Sequence, residues 1–201
     1  MIDVSVKKTL GTFTLNARLQ DEGFVCLSGK NGSGKSTLLR LIAGKLRPDE
    51  GFVKVNSVEV TSHPMEKRGV VLVTPDSYIP HFPVEKHLRW GASARGIRLA
   101  KDSVSATRAA LGITYEGRMD KLSLGMRERV SLATAVLSHP SILLVDEAFA
   151  ALDDKESLMS ALRGLCSKQG VDVLFTTQEE IDGNGADHHY LLLKGTSTRL
   201  K

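Results

Sequence analysis

The segment GKNGSGKST, residues 29–37, lies between an apolar run, Phe24 to Leu27, and a stretch in which Leu38, Leu41 and Ile42 recur at helical spacing. Glycines at 29, 32 and 34 let consecutive backbone N–H groups curl inward around an anion, with no Cβ in the way. A helix beginning near Lys35 turns the positive end of its dipole toward the same point, and Gly44 is a natural stop. A chain with this segment is committed to a buried strand, a tight loop and an outgoing helix. Gly29, Gly34, Lys35 and Ser36 satisfy the G-x-x-x-x-G-K-[ST] pattern of a phosphate cradle. Lys35 is expected to reach the β- and γ-phosphates of a bound nucleotide, and the Ser36 hydroxyl to ligate Mg²⁺. Lys30, Asn31, Gly32, Ser33 and Thr37 complete the predicted binding loop.

Further apolar runs, Val70 to Val73, Ile142 to Val145, Val171 to Phe175 and Tyr190 to Leu193, read as strands buried on both faces of a parallel sheet. Helical patterns lie between them, one of them spacing Val130, Ala133 and Leu137 before Pro140. This alternation indicates an α/β fold with a mostly parallel sheet, which together with the glycine loop resembles a P-loop NTPase (RecA-like) core. Residues of about 1–23 and 51–62 alternate loosely and predict a small antiparallel β lobe. Residues of about 84–137, rich in Ala, Arg, Leu and Glu, predict a helical insertion. No repeat or long linker divides the chain, so residues 1–201 are expected to form a single domain.

With 41% apolar and 25% charged residues, the composition is that of a globular protein. No apolar run approaches the roughly 18 residues of a membrane span. The opening MIDVSVKKTL lacks the apolar core of an export signal. Cys26 and Cys166 form no disulfide or zinc framework, and the expectation is a reduced, cytoplasmic protein. A net charge of +4 suits phosphates or the inner face of a membrane without selecting either. The six histidines show no metal-ligand spacing; His188 and His189 read as a solvated turn.

A second element, ILLVDE at 142–147, is a buried strand that delivers two carboxylates at its C-terminal end. Ligands bind at that end in open α/β sheets. Asp146 is expected to hold Mg²⁺ through its water shell, and Glu147, the candidate catalytic residue, to polarise the attacking water.

Residues 122–126 read LSLGM and are followed by RERVSLATAVLSHPSILLVDEAFAALDD. This run resembles the ABC ATPase family, whose signature LSGGQ lies shortly before the acidic strand. Leu122, Ser123 and Gly125 match, whereas Leu124 and Met126 depart. The Arg-x-Arg-Val pattern, the Ala-rich helix, the Asp-Glu pair and the Ala151-Leu152-Asp153 turn fall at the family's spacing. The resemblance covers essentially the whole chain. It implies a head-to-tail pair of ATPase subunits, identical or different, with each ATP held between one P-loop and the facing signature, here Ser123 and Gly125.

Three family positions differ. The glutamine that follows the strand ending near Val73 aligns with Thr74 or Pro75, with Asp76 close by. The histidine after the last core strand aligns with Thr177, whose hydroxyl can bond a phosphate but carries no charge. The adenine-stacking aromatic aligns with Leu10, with Phe13 nearby. These departures predict slow hydrolysis.

LGTFTLN at 10–16, RGVVLV and PHFPV look similar to importer ATPases of the molybdate, tungstate and sulfate type. The resemblance implies a membrane-spanning partner subunit, a peripheral position at the inner face of the cell membrane, and no nucleic acid. Importer subunits usually carry a C-terminal regulatory domain, and a chain ending at Lys201 is expected to lack it. An exporter or cytochrome-maturation-like ATPase is the alternative; a soluble ABC protein acting on ribosomes or DNA fits less well. The contact with the membrane partner is expected on residues 84–98, through His87, Arg89 and Trp90.

Overall fold

The computed structural model describes residues 1–147, 149 and 154–201; the Ala151-Leu152-Asp153 turn lies outside them. Among the described residues, ten strands and five α-helices follow one another in chain order. The strands are β1 (Ile2–Leu10), β2 (Phe13–Asp21), β3 (Phe24–Ser28), β4 (Glu50–Val55), β5 (Val58–Glu59), β6 (Val70–Val73), β7 (Ile142–Val145), β8 (Asp172–Thr177), β9 (His188–Leu193) and β10 (Thr196–Arg199). The helices are α1 (Lys35–Ala43), α2 (Val84–Ala94), α3 (Lys101–Ala110), α4 (Leu124–Leu137) and α5 (Lys155–Lys168).

All ten strands share one sheet in the order β5-β4-β1-β2-β10-β9-β3-β8-β7-β6. The predicted antiparallel lobe is therefore one end of the sheet that carries the core. β1 pairs antiparallel with both β2 and β4, while β3, β7 and β8 pair in parallel. β10, paired in parallel with β2 and antiparallel with β9, joins the two regions. Side-chain chemistry explains the division. β1 and β2 alternate, burying Ile2, Val4, Val6, Leu15, Ala17 and Leu19 on one face, whereas β3 and β7 are buried at every residue.

The chain packs as two compact units. The first comprises Met1–Leu72, Ser141–Glu147 and Val171–Lys201. Its α1 buries Leu38, Leu39, Leu41 and Ile42 in the main core and ends at Gly44, which is left-handed at φ 83°. Arg68, 3% exposed, closes this helix end. Its Nη1 donates to the carbonyls of Leu41 (3.0 Å) and Ile42 (3.1 Å), its Nη2 to Thr61 (2.7 Å) and its Nε to His63 (2.9 Å). A cation here answers the negative end of the helix dipole.

His188 and His189 are not a solvated turn: they open β9. His189 is buried, and its Nε2 lies 2.7 Å from Ser28 Oγ on the neighbouring β3. The burial comes from strand pairing, to which the local polarity of the segment gives no clue.

The second unit comprises Val73–Pro140 and the α5 segment up to Gly170. Here α2 and α4 approach closely at Gly91, where an added Cβ would lie 3.1 Å from Thr134. His87 Nδ1 lies 2.8 Å from Thr134 Oγ1, and its Nε2 is buried with no hydrogen-bond partner among the described residues. His87, only 2% exposed, thus pins two helices together and presents no surface to a partner. Trp90, 48% exposed, does.

Candidate functional site

β3 runs into the glycine loop and α1 runs out of it. Gly29 and Gly34 take φ of 155° and 108°, conformations that side chains resist. Close approach excludes a side chain as well. A Cβ at Gly29 would collide with the Leu192 carbonyl, and one at Gly34 would lie 2.9 Å from Phe13 Cζ. Phe13, the alternative aromatic, thus lies against the cap of α1, whereas Leu10 is 42% exposed.

Lys35 is 4% exposed. Its Nζ donates to the carbonyls of Gly29 (2.6 Å) and Lys30 (3.3 Å) and lies 3.2 Å from Glu147 Oε1. Ser33 Oγ is buried with no hydrogen-bond partner among the described residues. A buried ammonium, a buried hydroxyl without a partner and a helix N-terminus around a glycine loop together fit a phosphate group. Lys30, Asn31 and Gly32 are exposed at the rim, and Thr37 follows on the first turn of α1.

The carboxylates stand where the strand pattern predicts, just past β7. Ser36 Oγ donates to Asp146 Oδ1 at 3.1 Å, and Thr176 Oγ1 donates to the same oxygen at 3.0 Å. Glu147 has a left-handed backbone, φ 55°, and its N–H donates to Thr176 Oγ1 at 3.0 Å. A hydroxyl and a carboxylate so placed are hard oxygen donors of the kind Mg²⁺ takes, the remaining ligands coming from phosphates and water. The described residues contain no cluster of three His, Cys, Asp or Glu able to hold a metal alone.

Thr177 is buried at the end of β8, with its hydroxyl donating to the Asp182 carboxylate and accepting from the Glu179 N–H. The next residue, Gln178, reaches the carboxylate pair, its Nε2 donating to Glu147 Oε2 at 3.3 Å. Sequence reading missed Gln178 because it placed the family position that follows the last core strand at Thr177, which β8 still includes. Apolar patterning ends at Phe175 and leaves that frame open.

In the second unit, Ser123 caps α4, accepting from the Met126 N–H at 3.3 Å, so Gly125 lies in the first turn. Tyr115 donates to the Met126 carbonyl at 2.8 Å and fixes that turn. After β6, Thr74 bonds Ser77 through both its N–H (2.9 Å) and its hydroxyl (3.0 Å); Pro75 and Asp76 are exposed beside it. Among the described residues, no helix is long and apolar enough to cross a membrane.

The family model described as ABC transporter matches residues 13–150. The molybdate/tungstate import ATP-binding protein of Archaeoglobus fulgidus is 34% identical over 203 residues, covering 96% of this chain and 84% of that protein. The molybdenum import ATP-binding protein of Haemophilus influenzae is 34% identical over 190 residues. That match takes in 88% of this chain, which spans about half, 53%, of that relative's length. Among solved structures, the dimeric structure of a bacterial ABC transporter cassette superposes with a TM-score of 0.84 at 24% identity, over 100% of this chain and 99% of that one.

Proposed function

The chain belongs to the ABC transporter family, and on that premise we propose that it is the ATP-binding and ATP-hydrolysing subunit of an importer, acting as one ATPase domain. The observation that carries this reading is the Lys35 ammonium, buried in a glycine cradle within 3.2 Å of Glu147. Relatives named for molybdenum, molybdate and tungstate import support an oxyanion cargo.

In this reading the loop N–H groups and Lys35 bind the phosphates of ATP. Ser36 and Asp146 hold Mg²⁺, which neutralises phosphate charge. Glu147 orients the attacking water, and Gln178 steadies the Glu147 carboxylate. Phosphoryl transfer depends on such positioning and charge stabilisation. Ser123 and Gly125 meet the ATP of a second ATPase subunit. The membrane-spanning partner docks on the helical unit, which exposes Trp90 and a cavity of about 520 Å³ lined by Glu85, Arg89, Lys101 and Arg108. The subunit then works at the inner face of the membrane.

Calorimetry with Mg-ATP tests the reading: Lys35→Ala should weaken binding at least about tenfold, the scale of a lost charge-assisted contact. Unchanged affinity would overturn it. Light scattering of Glu147→Gln, expected to dimerise with ATP, tests the pairing.

A further inference from the structure

We propose that Thr176 is the positioning residue of the acidic pair, holding the Asp146 carboxylate and the Glu147 backbone at once through a single buried hydroxyl. The proposal rests on the ATPase reading above and adds to it a residue outside the motifs that carry that reading.

Thr176 lies on β8, paired in parallel with β7, and is 1% exposed. Its hydroxyl has one proton, and the nearer acceptor is Asp146 Oδ1 at 3.0 Å, against 3.5 Å for the Val145 carbonyl. Its lone pairs accept the Glu147 N–H at 3.0 Å. The hydroxyl is thus used in both directions. It donates to the carboxylate assigned to Mg²⁺ and accepts from the residue assigned to the water.

Both halves of this bridge have work to do. Glu147 has φ 55°, which a residue with a Cβ adopts only when its surroundings hold it there. The Thr176 oxygen is the partner that fixes its N–H. Asp146 Oδ1 accepts from two hydroxyls, Ser36 and Thr176. Ser36 is the one assigned to the metal, so Thr176 is the donor free to keep Asp146 in one rotamer with or without ligand. Valine has the same shape and neither bond. It would leave the Glu147 N–H without its acceptor and Asp146 with one hydroxyl fewer.

The test compares the full-length wild type, Thr176→Val and Thr176→Ser by calorimetry with ATP, in chelator and in Mg²⁺, and by steady-state hydrolysis. In Thr176→Val, affinity for metal-free ATP should stay within about twofold of wild type, because the P-loop is untouched. The gain in affinity that Mg²⁺ confers should fall about tenfold, the loss expected for one hydrogen bond to a charged group. In hydrolysis, kcat should fall more than KM rises. Thr176→Ser, which restores the hydroxyl, should restore both quantities. A full Mg²⁺-dependent gain and an unchanged kcat in Thr176→Val would overturn the proposal, as would failure of serine to rescue. If the valine variant does not fold by circular dichroism, Thr176→Cys, with a weaker donor of similar size, takes its place under the same criteria. A wild type that binds no ATP would instead overturn the ATPase reading. Binding by wild type with no effect of valine overturns this inference alone.

Discussion

The Lys35 ammonium lies 3.2 Å from the Glu147 carboxylate, so the residue assigned to phosphate and the residue assigned to water neutralise each other. Lys35 is 4% exposed and Glu147 32%, which makes the pair stronger than a surface ion pair. An arriving phosphate must take the lysine from the glutamate. Glu147→Gln should therefore tighten Mg-ATP binding by about fivefold, corresponding to ~1 kcal/mol for the pair it removes. Turnover should fall to near background. Calorimetry beside a phosphate-release assay checks both, and weaker binding by the glutamine variant would contradict the competition.

Hydrolysis by the isolated wild type should be slow, because Gln178 and Thr177 offer only neutral groups where a developing charge needs a donor. Gln178→His should raise kcat by about tenfold or more, within the range for one well-aimed donor. Thr177→His should not, because it breaks the Thr177–Asp182 bond that shapes the turn after β8. A steady-state comparison decides; a wild-type rate on the order of 10 s⁻¹, unaffected by either change, would refute the expectation.

Arg68→Met should destabilise the protein by about 3 kcal/mol, since it removes the guanidinium donors of the Ile42, Thr61 and His63 carbonyls and leaves Leu41 only the Gly44 N–H. Lysine should not rescue it, because one ammonium cannot reach the whole set. Urea unfolding measures the difference.

Two buried groups of the helical unit should give opposite pH dependences. Burial pushes the Glu128 carboxyl up to about 7, and its Oε2 has no partner among the described residues. Folded Glu128 keeps its proton where the unfolded chain releases it, so its contribution to stability is lost as pH rises from about 4.5 to 7. Burial lowers His87 to about 4. The unfolded histidine takes up a proton that the folded one refuses, so stability is lost as pH falls from about 6.5 to 4. The two slopes offset each other in wild type between about pH 4.5 and 6.5. Glu128→Gln should unmask a melting temperature that climbs with pH across that window, and should stabilise the protein at pH 8 on the order of 1–3 kcal/mol. A melting profile parallel to wild type would count against both assignments.

Much of the site was legible because its chemistry is local. The glycine loop, Lys35, Ser36 and the Asp146-Glu147 pair depend on neighbours in sequence, and apolar runs mark β3, β6 and β7. What escaped depends on pairing across the sheet. β10 reads TSTR, with no apolar residue, and forms because Lys194 and Gly195, at φ 46° and 82°, turn it back against β9. His189 is buried by β3, and Thr176 acquires its role only when β8 lies beside β7. The position of Gln178 turned on a strand end that hydrophobic pattern does not mark.

The join between β2 and β10 has a consequence for how the chain acquires its shape. Arg18 N–H bonds Ser197 Oγ across 179 positions of sequence, and Asn16 pairs with Thr196. Closing a loop of that length costs about 4–5 kcal/mol of chain entropy before the contact gives anything back. The early hairpin of β1 and β2 can form at once, yet its outer edge stays open until β9 and β10 arrive. Refolding should therefore show a fast phase for the hairpin and a slow, cooperative phase for sheet completion. During synthesis, an ordered phosphate cradle must wait for the last strands, because the wall behind Gly29 is the carbonyl of Leu192.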